Sequence, residues 1–382
     1  MRAGPVLVCV AGQHGNEPSG VIATQRVLES IERAGVRLRG ALIGLRGNVS
    51  ALEQGVRYRA ADMNRLWTPD RIARSRARGK SIREGGHEFE EMFELHQTLE
   101  GIFTDASDDI AVLDMHTTSS ASGPFVVIED RLPNRAHAMR IPTPVVIGLE
   151  EVLVGTLPDY VNDRGHISLG FEAGQHDAPE SVDLHEAAVW IMLCSLGILE
   201  PFDVPGGLGT HEERLRRASR GLPRVVELRH RHLVRDGDGF AMRDGYTNFS
   251  HLSVGEHLAD DSRGPIVAPD RGRIFMPLYQ PLGDDGFFVV RRVGVFWLWL
   301  SAILRTIGAD KLAPLLPGVR RDPAHPRVLI ADRHVAKWFT VEIFHLLGFR
   351  RRSQAGELVI FSRRHDDLAR AREGSADAHK RQ

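Results

Sequence analysis

The sequence is poor in cysteine and has no apolar run long enough to cross a membrane. Its two cysteines, Cys9 and Cys194, both stand in apolar surroundings, which argues against a disulfide framework and against a cysteine-ligated zinc site. The most apolar run covers residues 293–304 and is too short to span a bilayer, so we predict a buried helix there. The first apolar run is a short strand and not a signal-peptide core, so we expect a cytoplasmic protein.

The chain also lacks an excess of charge of either sign. Its formal net charge is -1 over 382 residues, so no overall field favours nucleic acid or an anionic membrane. Hydrophobic residues make up 42% and charged residues 26%, the balance of a globular protein with a large core. We therefore expect no nucleic acid and no membrane as partners, and the composition leaves open whether the chain forms a homo-oligomer.

Short apolar runs alternate with helical patterns over the first half of the chain. The expected strands are 5–11, 38–45, 110–114, 125–128, 145–149 and 167–171, and the expected helices are 19–34, 88–100 and 181–196. Continuous apolar strands that alternate with helices predict an α/β fold, with a buried, largely parallel sheet flanked by helices.

The pattern of predicted secondary structure changes from residue 205 onward. Short strands separated by turn signals such as Asp285-Gly286 predict a smaller, mainly β part. We expect three parts: an α/β domain over residues 1–204, a mainly β domain over 205–304, and an α/β extension over 305–382 that ends in a charged tail.

The first motif that carries chemistry follows the buried strand at residues 5–11. The sequence GQHGNE at residues 12–17 places His14 and Glu17 three residues apart on a tight loop. Imidazole and carboxylate are good zinc ligands, and two ligands at this spacing can converge on one ion. The alternative is a loop histidine beside a glutamate that favours the start of the next helix.

A catalytic zinc needs a third protein ligand, and the second motif offers one. In the sequence DMHTT at residues 114–118, His116 follows an apolar strand. Because the strand ends of a parallel sheet share one rim, we expect His116 to lie near the first motif, with Asp114 orienting the site. The alternative is a strand-end histidine that is hydrogen-bonded to the neighbouring threonines.

The third motif is rich in arginine. In the sequence RYRAADMNR at residues 57–65, three arginines surround Asp62 and Asn64. Guanidinium groups pair with carboxylates in bidentate geometry, so such a loop suits an anionic substrate. One of the arginines could also stabilise an oxyanion. The alternative is a solvated basic loop in which Asp62 is paired internally.

The fourth motif, GFEAG at residues 170–174, puts Glu172 at the end of an apolar strand. A carboxylate in such a position is costly unless it is paired or used. Beside a metal-activated water it would act as a general base and then as a general acid toward the leaving amine. The alternative is a capping or ion-paired glutamate.

Together these motifs resemble the succinylglutamate desuccinylase/aspartoacylase family, a branch of the zinc carboxypeptidase superfamily. The matching pieces are residues 12–17, Gly47-Asn48, Arg57-Tyr58 with 62–65, 114–118 and 171–174, in the family's order and spacing. The mainly β part that follows is also similar to the family's second domain. The resemblance implies a zinc-carboxypeptidase-like fold and a small-molecule acylated substrate. The implied reaction is hydrolysis of its N-acyl amide bond, which releases an amine or amino acid and a carboxylate.

The resemblance also implies roles for individual residues. It implies one zinc ion per chain, bound by His14, Glu17 and His116. Glu172 would be the catalytic acid/base and Arg57 the arginine that stabilises the oxyanion. Zinc is the metal expected from these ligand types, and another divalent metal such as cobalt stays open.

The substrate-binding residues follow from the same resemblance. Asn64 and Arg65 match positions that hold a substrate carboxylate. Tyr160 and Arg164 match a tyrosine and an arginine carried by members that act on acylated acidic amino acids. Two other interpretations remain open. One is a zinc carboxypeptidase for short peptides, in which Arg65 grips the terminal carboxylate, and the other is a zinc-stabilised binding protein without activity.

Overall fold

The computed structural model describes residues 4–78, 86–235, 237–280, 283–323, 325, 328–332, 340–355 and 358–362. The chain divides into two compact units, the larger formed by residues 1–129 and 136–292 and the smaller by residues 130–135 and 293–382. The three-part division expected from the sequence stays a prediction. The predicted charged tail, residues 363–382, lies outside the described residues.

Helices and strands alternate along the first half of the chain, and strands prevail after α8. The α-helices are α1 Ser19–Ala34, α2 Val49–Gln54, α3 Pro69–Arg78, α4 Gly86–Asp105, α5 Leu132–Ala138, α6 Leu157–Asp163, α7 Glu180–Ser195, α8 Leu208–Ala218, α9 Val295–Thr306 and α10 Thr340–Leu346. The strands are β1 Val6–Ala11, β2 Ala41–Arg46, β3 Ile110–Thr118, β4 Phe125–Ile128, β5 Val145–Ile147, β6 Ile167–Gln175, β7 Val225–Leu233, β8 Ala241–Met242, β9 His251–Leu252, β10 His257–Asp261, β11 Gly264–Val267, β12 Gly272–Phe275, β13 Asp285–Arg292, β14 Val319–Arg321, β15 Val328–Asp332, β16 Arg350–Ala355 and β17 Leu358–Ser362.

The larger unit is built on one ten-stranded sheet with the order β2-β1-β3-β6-β4-β5-β7-β13-β12-β9. Strands β2, β1, β3 and β6 are parallel, β4 is antiparallel to β6, and β5 and β7 run parallel to β4. Along the rest of this sheet, β7, β13, β12 and β9 pair with their neighbours in antiparallel fashion. A small second sheet has the order β11-β10-β8. The predicted α/β class, with a mixed, largely parallel sheet flanked by helices and a smaller β part, is confirmed.

The central strands are buried on both faces, as their apolar sequences predict. Every residue of β1 and β3 is buried, and each large aliphatic side chain removed from water contributes about 1.5–3 kcal/mol. The predicted strand ends at residues 114 and 171 are too early, because β3 and β6 continue to Thr118 and Gln175. His116 and Glu172 therefore lie within the sheet and not on loops.

The loop after β1 is fixed by a close approach to α2. A Cβ atom on Gly15 would lie 2.1 Å from the backbone carbonyl carbon of Ala51, so only glycine fits there. The backbone N–H of Gly15 donates to the carbonyl of Arg57 at 3.1 Å. Asn48 caps α2 by accepting a hydrogen bond from the N–H of Ala51. The loop that carries His14 is thus held on both sides.

The smaller unit contains a four-stranded antiparallel sheet with the order β14-β15-β17-β16. Its core includes Leu329, Phe344, Phe349 and Phe361. The helix predicted at residues 293–304 is present as α9, but its predicted burial is wrong, since most of its large apolar side chains are exposed. Among the described residues, no helix combines the length and apolar character that crossing a membrane requires.

Candidate metal centre and active site

Three of the predicted site residues converge on one point at the carboxyl end of β1 and β3. The Nδ1 atom of His14 lies 2.9 Å from one carboxylate oxygen of Glu17, and the Nδ1 atom of His116 lies 3.1 Å from the other. The candidate ligand atoms of these three residues all lie within 4.8 Å of one another, and all three residues are buried. This is the spacing that a single ion needs from two imidazoles and a carboxylate.

The two histidines are held by further carboxylates through their other ring nitrogens. The Nε2 atom of His14 lies 3.0 Å from Asp62 Oδ1, and that of His116 lies 3.1 Å from Asp114 Oδ2. A carboxylate on Nε2 fixes the ring orientation and the tautomer, and leaves Nδ1 as the donor to a metal. The donor set therefore fits a divalent metal ion.

A series of side-chain hydrogen bonds, which the sequence did not indicate, holds Asp114 in place. The Gln13 side-chain amide donates to Asp114 Oδ1 at 2.7 Å, and the Trp67 indole N–H donates to the Gln13 side-chain oxygen at 3.1 Å. All three residues are buried. Because each of these side chains finds its hydrogen-bond partner inside the protein, the series holds the Asp114 carboxylate rigidly behind His116.

The electrostatics of the cluster favour an ionised carboxylate between the histidines. Burial raises the pKa of Glu17, but the charges and hydrogen bonds of His14 and His116 outweigh burial and hold that pKa well below its usual range. The backbone N–H of Thr117 also donates to Glu17 at 2.8 Å. Glu17 is thus an anion at neutral pH, the form in which a carboxylate binds a metal.

Glu172 faces the cluster from the neighbouring strand. In the parallel pairing of β3 and β6, Glu172 is the direct partner of His116, so the two side chains point to the same face of the sheet. Burial is the main cause that raises the pKa of Glu172, to about 8; the negative charges of Glu17 and Asp114 add to it, and His116 and Arg57 oppose it. Its Oε2 atom has no hydrogen-bond partner among the described residues. A raised pKa and an uncommitted oxygen suit a group that takes up and releases protons.

This raised pKa predicts a pH-dependent stability of the metal-free protein. Between pH 4.5 and about 8, folded Glu172 keeps a proton that the unfolded chain has lost, so the free energy of unfolding falls as the pH rises, by up to about 1.4 kcal/mol per pH unit. Denaturant titrations of metal-free wild type and Glu172→Gln test this prediction. We expect the variant to be the more stable protein at pH 8 and the two to converge near pH 4.5. Parallel curves at all pH values would contradict the assigned pKa.

The two arginines predicted to act on the substrate lie at the mouth of the cluster. Arg57 donates to Asp62 Oδ2 at 3.2 Å, and its other terminal nitrogen lies 3.7 Å from Glu17. Arg65 lies 3.6 Å from Asp285 Oδ2, and Arg231 also forms an ion pair with Asp285. Two arginines therefore share the Asp285 carboxylate beside the site.

Asn64 lies between the cluster and helix α6. Its side-chain oxygen accepts a hydrogen bond from the backbone N–H of Leu157 at 3.0 Å, and its side-chain nitrogen lies 3.5 Å from His116 Nε2. The first contact fixes the amide with its nitrogen toward His116. Asn64 is thus in the cavity wall and already engaged by the protein.

Two adjoining cavities open at the cluster. One, of about 130 Å³, contains the three ligands, Glu172 and an apolar wall that includes Leu149 and Pro158. The other, of about 110 Å³, is lined by polar groups such as Ser119 and His176. Arg57 and Arg65 line both cavities. Cavities of this size admit small molecules or the end of a larger chain.

The structure does not bring Tyr160 and Arg164 to these cavities. The Tyr160 hydroxyl hydrogen-bonds to Glu100 and to His96, and Arg164 forms an ion pair with the same glutamate at 2.6 Å. Helix α6 carries Tyr160 and ends just before Arg164, and both side chains point to helix α4 rather than to the ligand cluster. In this structure both side chains are therefore engaged by Glu100 and lie away from the two cavities.

Three residues of the site were not assigned a role from the sequence alone. Gln13 immediately precedes His14 within the first motif, and its position between a buried strand and a potential ligand was the available signal. Asp62 was weighed as an internally paired residue, and it does pair, with His14 as well as with Arg57. Asp285 looked like part of a turn but begins β13, so nothing local indicated its contact with Arg65.

Comparisons with known proteins agree with this geometry. Residues 3–188 match the family model described as the succinylglutamate desuccinylase/aspartoacylase catalytic domain. The succinylglutamate desuccinylase of Pseudomonas fluorescens strain Pf0-1 is 26% identical over 282 residues, which cover 71% of this chain and 78% of that protein. The crystal structure of a succinylglutamate desuccinylase/aspartoacylase from Rhodobacter sphaeroides is 18% identical, with a TM-score of 0.53, covering 77% of this chain and 87% of that chain. Murine aminoacylase 3 has a TM-score of 0.54 at 16% identity, covering 77% of this chain and 95% of that chain. The two structures share the fold.

Proposed function

Because the chain belongs to the succinylglutamate desuccinylase/aspartoacylase family, we propose that it is a zinc-dependent deacylase of the cytoplasm. It hydrolyses the N-acyl amide bond of a small, anionic acylated amino acid or a related amide. The products are a carboxylate and a free amine or amino acid.

The observation that carries this proposal is the position of Glu172 beside three converging candidate metal donors. His14, Glu17 and His116 offer three buried donors within 4.8 Å of one another, and Glu172 is the strand partner of His116. A site with three protein ligands leaves a position for water or substrate, which is typical of a catalytic zinc and not of a structural one.

When bound, zinc would lower the pKa of water and polarise the carbonyl of the scissile amide. Glu172 would accept a proton from the attacking water on its uncommitted oxygen and then donate it to the leaving nitrogen. Its burial raises the pKa, so the carboxylate is a stronger base toward the attacking water and retains the proton until the leaving nitrogen takes it up. Asp62 and Asp114 keep the two imidazoles in place during this cycle.

Arg57 and Arg65 supply the positive charge of the cavity. Arg57 lies 3.7 Å from Glu17 and would donate to the oxygen that gains charge as the amide carbonyl is attacked. Arg65 retains part of its charge, since it shares Asp285 with Arg231, and it would bind a carboxylate of the substrate. The presence of two arginines around the single carboxylate of Asp285 supports an anionic substrate.

A hydrolysis assay tests the proposal. We would incubate the purified protein with a panel of N-acyl amino acids and short peptides, with added zinc and with a chelator, and measure release of free amine. We expect chelator-sensitive cleavage of at least one N-acyl amino acid. Release of C-terminal residues from peptides without deacylation would favour a carboxypeptidase, and zinc binding without any cleavage would favour a binding protein.

Two arginines with different positions give a matched pair of variants. We expect Arg65→Gln to raise the KM for an anionic substrate at least ~10-fold, because a charge-assisted hydrogen bond to the substrate is lost. Arg164→Gln should leave KM and kcat unchanged, because Arg164 is engaged by Glu100 away from the cavities. Steady-state kinetics of the two variants check this prediction. An unchanged KM in Arg65→Gln, or a raised one in Arg164→Gln, would reverse the assignment.

A further inference from the structure

Helix α9 in the smaller unit buries two polar residues, while most of its large apolar side chains are exposed. Of its twelve residues, the buried ones are Ser301 and Arg305. An ordinary surface helix buries its apolar stripe and exposes its charges. In α9, Leu304 packs against the core of this unit, but most of the large apolar side chains do not contribute to that core.

The inner face of α9 is held by polar contacts. The Arg305 guanidinium donates to Asp130 Oδ2 at 2.7 Å and to the Asp130 carbonyl at 2.7 Å. Ser301 donates to the carbonyl of Leu346 at 2.8 Å, and Arg135 donates to the carbonyl of Leu298 at 3.2 Å. A buried guanidinium with these contacts is costly to move, so the helix cannot roll over to hide its apolar face.

The outer face carries large apolar side chains at helical spacing. Phe296, Trp299, Ile303 and Ile307 follow one another by three or four residues and are 61%, 59%, 36% and 71% exposed, which places them on one side of the helix. Trp297 is half exposed beside them and makes an edge-on ring contact with Phe296 at 5.5 Å. A contiguous exposed patch of this kind marks an interaction surface.

The exposed charged side chains that follow α9 in the smaller unit are positive, whereas Asp322 and Asp332 are half-buried. Over the described part of residues 293–332, the exposed side chains with a permanent charge are Lys311 and Arg320. The acidic Asp310 is buried. The net charge of the whole chain, close to zero, conceals this local excess.

We propose that the outer face of α9 docks on an anionic lipid surface. Tryptophan and phenylalanine are side chains that settle at the headgroup level of a bilayer, and a flanking set of lysine and arginine adds attraction to anionic lipids. The helix would lie in the plane of the interface, since its length and its buried arginine prevent it from spanning the membrane. This proposal is independent of the proposed function.

Two other occupants fit the patch less well. A second copy of the chain that docked on this patch would bring the exposed cations Lys311 and Arg320 of both copies together, and this repulsion opposes association. The C-terminal segment 363–382 contains one large aliphatic residue, Leu368, and no aromatic residue, so it offers little apolar surface to cover two tryptophans and a phenylalanine.

Vesicle sedimentation with the full-length protein tests the proposal. We would use vesicles of phosphatidylcholine alone and of phosphatidylcholine mixed with phosphatidylglycerol. We expect binding to the mixed vesicles that weakens with added salt, and at least ~10-fold weaker binding for Phe296→Ser/Trp299→Ser. Tryptophan emission should shift to shorter wavelength on binding, because Trp297 and Trp299 enter an apolar environment.

Phe202→Ser is the matched control, since it removes an aromatic side chain that is 83% exposed elsewhere on the chain; it should bind vesicles like the wild type. Both variants change exposed residues, and equal thermal melting of the three proteins would verify that they fold. Absence of wild-type binding to the mixed vesicles, or equal binding by the double variant, would overturn the proposal. So would a dimer, measured by light scattering, that the double variant dissociates.

Discussion

Glu172→Gln is expected to lower kcat by about 100- to 10,000-fold while leaving the metal affinity unchanged. Glutamine has the size and shape of glutamate but cannot accept a proton from water. Since Glu172 is the strand partner of His116 and not a member of the three-ligand cluster, its loss removes the proton transfer without removing a metal donor. The carboxylate of Glu172 is also buried, so no bulk buffer can easily replace it.

The measurement has two parts that must agree. Steady-state hydrolysis of the best substrate from the panel gives kcat, and a competition titration with a chromophoric chelator gives the zinc affinity. Glu100→Gln is a suitable control, because Glu100 is a part-buried carboxylate that pairs with Tyr160 and Arg164 outside the cavities. A Glu172→Gln protein with wild-type kcat would eliminate Glu172 as the general base, and a large loss of zinc would make it a ligand.

Glu17→Gln is expected to weaken zinc binding by more than ~100-fold and to abolish hydrolysis with it. Each Glu17 carboxylate oxygen approaches one histidine Nδ1 atom, at 2.9 and 3.1 Å, so the group is the centre of the cluster. An amide is a poor zinc ligand, and its NH2 end would also face either a histidine nitrogen or the N–H of Thr117. The Glu17→Gln protein should stay folded, since the substitution removes a buried charge without changing the volume of the side chain.

Asp62→Asn gives the graded control for this second prediction. Asp62 contacts Nε2 of His14 at 3.0 Å and is not itself among the converging donors, so we expect a smaller loss of zinc affinity, about 10- to 100-fold. The chelator competition and circular dichroism are applied to both variants. Equal losses in the two variants would mean that Asp62 enters the coordination sphere. Unchanged zinc affinity in Glu17→Gln would refute the proposed ligand set.

The local part of the fold could be predicted from the sequence because it depends on neighbouring residues. Helix α1 occupies the predicted residues 19–34 and β4 the predicted residues 125–128, where apolar periodicity and flanking glycine are unambiguous. The ends of β3 and β6 could not be predicted, since polar residues such as His116 look like loop residues until a neighbouring strand provides hydrogen bonds.

The candidate site could be predicted in part for the same reason. His14 and Glu17 share one loop, so their convergence is nearly local. Arg164 has a suitable charge and sequence position, but the direction of its side chain is decided by Glu100 on another helix. Sequence separation of 64 residues carries no local signal of that contact.

What the sequence by itself determined is the chemistry: two histidines, a carboxylate ligand, a second glutamate and an arginine-rich loop, in the order of one family. The tertiary structure alone decided which of them meet. The register of β3 and β6 sets Glu172 beside His116, and Asp62 and Asp114 reach the far nitrogens of the two histidines. The outward face of α9 was decided in the same way. Apolar periodicity predicts that one face of a helix is buried. Which face the protein covers depends on contacts with residues far away in the chain, and for α9 the contact of Arg305 with Asp130 decides it.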